Sequence, residues 1–181
     1  MSAFAHRICL VGFSTGGALS LRLAADRPER LVGVAAISVP MRFRDRSMMF
    51  VPLVHGVNQL VRWVSSLEGI MPFRPRDSEH PHINYRNVPI RGLYELERMV
   101  DELEERLPDV QCPATLIQGT DDPVVEPKSV ELIHKELGTS QKTLVMLPSA
   151  RHGILYEDIG GTQQMIVSFL ATLSSNATGA G

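Results

Sequence analysis

Arg7-Ile8-Cys9-Leu10-Val11, followed by Gly12-Phe13-Ser14-Thr15-Gly16 and then Gly17-Ala18-Leu19-Ser20-Leu21-Arg22-Leu23-Ala24-Ala25, is the stretch that decides the fold. Its first part is a continuous apolar run, the composition of a strand covered on both faces. Its last part, Thr15 to Arg27, has helical composition, with Leu19, Leu21, Leu23 and Ala24 apolar and Pro28 just past the end. Between them stands a G-x-S-x-G motif in the strand–turn–helix setting that gives such a motif meaning. A serine on so tight a turn has its hydroxyl lifted above the sheet on strained backbone. Side chains at Gly12 and Gly16 are expected to collide across the turn, which calls for glycine at both. The N–H of Thr15, at the partly positive start of the helix, is then aimed at any negative charge developing beside Ser14.

Working outward, short β-rich runs alternate with longer helical patterns, as in parallel strands joined by crossover helices. Leu31 to Val39 is a second strand, closed by Pro40. Ala114 to Gln118 is a third, and Thr143 to Leu147 a fourth, closed by Pro148. Pro127 to Leu137 reads as a helix, with Gly138 beyond its end. About Thr162 to Leu173 is another, with Met165, Ile166, Phe169, Leu170 and Leu173 on one face. Met41 to about Gly92 breaks the alternation and is expected to be a cap inserted between two strands. Within it, Leu53, Val54, Val57, Leu60, Val61, Val64 and Leu67 recur at helical spacing over Pro52 to Leu67. His55, Asn58, Gln59, Arg62 and Ser66 fall on the opposite, polar face. The proline- and charge-rich PFRPRDSEHPHINYRNVP reads as irregular, and a helix from about Ile90 to Leu107 returns to the sheet. One domain over residues 1–174 and a disordered tail over 175–181 are expected.

A serine hydroxyl is a weak nucleophile until a base removes its proton, and the base needs a third group to orient it. The third strand runs into Gln118-Gly119-Thr120-Asp121-Asp122-Pro123, and the fourth into Pro148-Ser149-Ala150-Arg151-His152-Gly153. Ser14, an aspartate and His152 therefore all stand at C-terminal strand ends, where open α/β sheets hold their ligands. Adjacent in sequence, Asp121 and Asp122 cannot both point the same way. His6 precedes the first strand, His134 lies within a helix, and His55, His80 and His82 fall in the cap, so they are read as surface or packing residues.

The formal net charge of −2, with no long basic run, argues against a nucleic-acid partner. No stretch approaches the ~20 apolar residues that span a bilayer. Cys9 and Cys112 are too few for a disulfide framework and read as reduced thiols, which makes the cytoplasm the expected compartment. No ligand cluster has metal spacing, and neither a metal nor a cofactor is expected.

Taken together, GFSTGG, QGTDDPVV and PSARHGIL resemble the three motif blocks of the bacterial carboxylesterase and monoacylglycerol-lipase group of α/β-hydrolases, and NYRNVPIRGLYELERM is similar to that group's exit from the cap. The resemblance covers nearly the whole chain. It implies a parallel sheet flanked by helices, equivalent to strands 5–8 of that fold, with a helical cap. It also implies a Ser14–Asp122–His152 triad, Asp122 and not Asp121 being the acid, with Thr15 N–H in the oxyanion hole. The substrate it implies is a small ester with an apolar acyl group; Phe13, Val57 and Leu60 are the candidate substrate contacts. Thioester, amide and C–C bond hydrolysis use the same triad and remain open. The family places roughly eighty residues before its nucleophile and this chain about ten, so a truncated, weakly active or non-catalytic piece is the alternative. Self-association through the exposed first strand is expected in that case.

Overall fold

The computed structural model describes residues 6–75 and 87–178. Four parallel strands form its main sheet: β1 (Ile8–Phe13), β2 (Leu31–Ile37), β5 (Ala114–Gly119) and β6 (Lys142–Leu147), in the order β1-β2-β5-β6. Helices α1 (Thr15–Ala25), α4 (Lys128–Glu136) and α5 (Thr162–Thr178) alternate with them. Since every strand runs the same way, all their C-terminal ends share one edge of the sheet. Apolar runs of this kind belong to strands covered on both faces, and β5 is buried along its whole length. Ile37, Ile117, Leu147, Ile154 and Ile166 meet in one core cluster, with Phe13, Val145 and Met165 packed against it.

The chain divides into two units, one of Met1–Arg44 with Glu102–Gly181 and one of Asp45–Asp101. The second contains α2 (Val51–Val64) and the antiparallel pair β3 (Phe73–Pro75) and β4 (Asn87–Pro89), and α3 (Ile90–Arg106) starts in it. The β3–β4 pair replaces part of the irregular segment that the sequence suggests. Three-residue strands containing proline carry no alternation to read. Residues 76–86, with His80 and His82, lie outside the described residues.

Asn58 also departs from expectation. Placed by periodicity on the exposed face of α2, it is buried instead, while Leu53, Leu60, Trp63 and Val64 are exposed. Its amide donates to Met71 O (2.7 Å) and accepts from Met71 N (3.1 Å), so both ends are satisfied by one backbone residue. Gly69, at φ +122°, permits this: a side chain there would strike Asn58.

Helix α5 continues through Thr178, where the sequence reading has a disordered tail from 175. Both cysteines are free thiols, and burial, then the nearby Cys112, push the Cys9 thiol up to about 11. Among the described residues no helix is long and apolar enough to cross a membrane.

Among the described residues β1 pairs with β2 alone, leaving its other backbone edge open. Val11 on that strand is 44% exposed, and Leu19 and Leu23 of α1 are exposed beside it in sequence. An apolar strand with an open edge recruits other chains. Residues 1–181 are accordingly expected to elute from size-exclusion chromatography as species larger than a monomer. A monodisperse monomer by light scattering would contradict this.

Candidate active site

The turn between β1 and α1 holds Ser14 at φ 53°, the left-handed region that a residue with a side chain rarely adopts. That strain is held in place by Ser14 N donating to Ile37 O (2.8 Å) on β2 and by Gly17 N donating to Ser14 O (2.9 Å). A side chain at Gly12 would run into the carbonyl of Gly16 and the hydroxyl of Ser20, so glycine is required there. Gly16 is different from the sequence expectation. A Cβ built on it meets nothing within 4 Å among the described residues, and its φ is not positive. The second crowded glycine is Gly17, whose Cβ would lie 2.8 Å from Val39 Cγ2 and 3.1 Å from Gly12 O. The cause is the packing of α1 against the chain just beyond β2, which a local motif does not display.

Asp122 follows β5 by three residues and has no exposed surface. The loop carrying it is tied to the end of β6 by Thr120 N donating to Leu147 O (2.8 Å) and Asp121 N to Ser149 O (2.9 Å). Asp122 Oδ1 accepts from Val124 N (2.8 Å) and Val125 N (3.0 Å). Its Oδ2 accepts from His152 Nδ1 at 2.8 Å. Burial on its own pushes this carboxyl up. The hydrogen bond and charge of His152, with the Val125 and Val124 amides, outweigh it and hold the group below the usual carboxylate range. Asp121 points elsewhere: it is exposed and accepts from its neighbour Thr120 Oγ1.

His152 sits on the loop after β6, only 8% exposed. Its Nε2 lies 3.0 Å from Ser14 Oγ. A proton on Nδ1, which the Asp122 contact demands, leaves Nε2 as the acceptor of the serine hydroxyl. The Phe13 ring lies against the imidazole, centroids 5.0 Å apart and planes tilted by 43°. Thr15 opens α1, with its N–H in the first turn.

The structure therefore brings together Ser14, Asp122, His152, Phe13 and Thr15. Val57 and Leu60 stand on α2 in the second unit. Two contributions escape a reading by motif: the packing of Phe13 on the imidazole, and the amide of Gln118, which reaches Asp122 (3.1 Å). The first depends on a contact between residues far apart in sequence, the second on a loop that folds back over four residues. The only local sign of the second is a glutamine next to the end of a largely apolar strand. Among the described residues no group of His, Cys, Asp and Glu is arranged to hold a metal ion.

A family model described as serine aminopeptidase, S33, matches residues 3–159. The chain is 24% identical over 149 residues to a thermostable monoacylglycerol lipase of Bacillus sp. (strain H-257), covering 80% of this chain and 54% of that one. It is 23% identical over 147 residues to a carboxylesterase of Bacillus subtilis (strain 168), covering 81% and 56%. The chain thus spans about half the length of the curated relatives it matches. Among solved structures it is similar to a Paleococcus ferrophilus monoacylglycerol lipase, with a TM-score of 0.73 and 21% identity over 95% of this chain and 71% of that one. A structure from a description of two metagenome-derived lipolytic enzymes, LipS and LipT, superposes with a TM-score of 0.74 at 23% identity, over 96% and 67%. These structural likenesses establish the α/β-hydrolase fold.

Proposed function

Because the chain belongs to the serine aminopeptidase S33 family, we propose that it serves as a serine hydrolase of carboxylic esters, with Ser14 as nucleophile, His152 as base and Asp122 as the orienting acid. The observation that carries the reading is the pair of contacts on one imidazole, 3.0 Å to Ser14 Oγ and 2.8 Å to Asp122 Oδ2.

In the first step, Ser14 Oγ attacks the ester carbonyl carbon while its proton passes to His152 Nε2. The carbonyl oxygen becomes an oxyanion, and Thr15 N–H at the positive end of α1 stabilises it. As the tetrahedral centre collapses, His152 returns the proton to the departing alkoxide, which leaves as the alcohol. A water molecule then loses a proton to His152 and attacks the acyl-serine. Collapse of the second tetrahedral centre frees the carboxylic acid and restores the Ser14 hydroxyl. Throughout, Asp122 holds the Nδ1 proton and balances the imidazolium charge without taking the proton.

Preference for esters over amides is supported by the names of the relatives, a monoacylglycerol lipase and a carboxylesterase. In the full gene product, p-nitrophenyl butyrate is expected to be hydrolysed far faster than the matching p-nitroanilide. Faster cleavage of the anilide would overturn the ester assignment and favour an amidase.

For the acyl group, the proposal assigns chain-length preference to Val57, 39% exposed, and Leu60, 60% exposed, both on α2. An aspartate at either position puts a charge where an apolar chain has to lose its water, a heavy penalty for longer acyl groups. Val57→Asp and Leu60→Asp should therefore cost more on p-nitrophenyl octanoate than on the acetate. Equal losses on both esters would mean that these residues only support the fold.

A further inference from the structure

Gln118 is the penultimate residue of β5, with its side chain fully buried. Its Nε2 donates to Asp122 Oδ2 (3.1 Å) and to Gly119 O (3.3 Å). Both neighbours are acceptors, which fixes the amide with nitrogen towards the carboxylate; turned over, its oxygen would face two other oxygens. Its own Oε1 is buried and receives no hydrogen bond among the described residues. A buried amide with one end unmet is a poor structural choice. An apolar side chain of the same shape would remove that unmet oxygen, at the cost of one donor to the buried Asp122 carboxylate.

What the amide does accomplish is to complete the shell around the Asp122 carboxylate. Oδ1 takes the Val124 and Val125 amides, and Oδ2 takes His152 and Gln118. Of these four donors, His152 is the one whose charge must change during turnover. The two backbone amides fix only one oxygen. Gln118 is the side-chain donor that keeps Oδ2 in place, and its hydrogen bond lowers the basicity of that oxygen. A less basic Oδ2 leaves the proton on Nδ1 when the imidazolium forms, so that Nε2 stays the working nitrogen.

We propose that Gln118 is a positioning residue, whose side-chain amide locks Asp122 Oδ2 so that His152 presents Nε2 to Ser14. The proposal rests on the triad reading given above. Its magnitude is that of a hydrogen bond to a charged group, which corresponds to about ten- to hundredfold in rate, below the loss expected from removing the carboxylate itself.

The test uses Gln118→Met and Gln118→Leu in the full gene product, compared with the unsubstituted protein and Ser14→Ala. Both Gln118 variants should lose about ten- to hundredfold in kcat, with KM unchanged. The far-downfield proton resonance of His152 Nδ1–H should shift or broaden, because its acceptor oxygen has changed. A resonance left in place in the folded variants, whatever their melting temperature, overturns the proposal. So does an unchanged kcat in either folded variant. If one of the two fails to fold, the other decides. If Ser14→Ala retains turnover, the triad reading fails instead. The resonance still judges Gln118, since the His152–Asp122 hydrogen bond exists whatever the reaction.

Discussion

Ser14→Ala in the full gene product is expected to reduce turnover of p-nitrophenyl butyrate by about 10⁶-fold, the scale on which loss of a triad nucleophile acts elsewhere. The elbow does not need the hydroxyl: strain at φ 53° is held by backbone bonds from Ser14 N to Ile37 O and from Gly17 N to Ser14 O. Alanine occupies the same backbone well, so the melting temperature should barely change. The residual rate reflects oxyanion stabilisation and substrate binding alone. Steady-state kinetics with thermal denaturation of the same sample checks this. A variant that keeps more than about a hundredth of the activity, far above that expectation, would show that another group carries the attack.

Asp122→Asn carries the second largest expected loss, about 10⁴-fold in kcat. An asparagine can present its NH₂ to Nδ1, which forces the proton to Nε2 and leaves no acceptor for the Ser14 hydroxyl. The carboxylate is also the counter-charge for the imidazolium, buried with no exposed surface and given four donors. Asp121→Asn is the control next door. That side chain is exposed, and its carboxylate accepts from Thr120, so surface substitution there should change kcat by less than about threefold. A reversal of the two effects would transfer the acid to Asp121.

Chemistry and topology were legible together in the sequence, for a physical reason. Parallel strands covered on both faces carry unbroken apolar runs, so Ile8–Phe13, Leu31–Ile37, Ala114–Gly119 and Lys142–Leu147 lie within a residue or two of the runs that suggest them. Once strands all run one way, residues just beyond their ends gather at a single edge, and Ser14 and His152 are brought within hydrogen-bonding distance across 138 positions of sequence. The choice between Asp121 and Asp122 was different. Local sequence leaves it open, and the turn built by Val124 N and Val125 N on Asp122 Oδ1 is what turns that carboxylate inward.

Misreadings came from contacts that no local pattern records. Gly16 has open space, while Gly17 is pinned by Val39. Asn58 lies on the polar side of a helical pattern yet is buried, because Met71 satisfies its amide from thirteen residues away. The α5 helix runs on through Ser174, Ser175 and Thr178 although the composition there resembles a tail. Serine and threonine are only mildly unfavourable in helices, and a helix already propagating extends past them at small cost. Gln118 shows the same limit at the site itself, since a glutamine at the end of a strand gains meaning only when the loop returns Asp122 to it.

The most direct test of Ser14 as an activated nucleophile is covalent labelling of the full gene product with a fluorophosphonate, read by peptide mass spectrometry. Its phosphorus should be attacked by Ser14 Oγ, with fluoride leaving and the proton passing to His152 Nε2, as in acylation of an ester. The predicted result is one adduct per chain, on the peptide carrying Gly12-Phe13-Ser14-Thr15-Gly16, and its loss in Ser14→Ala and His152→Ala. An adduct on a different residue, or none on a protein shown by circular dichroism to be folded, would contradict the account.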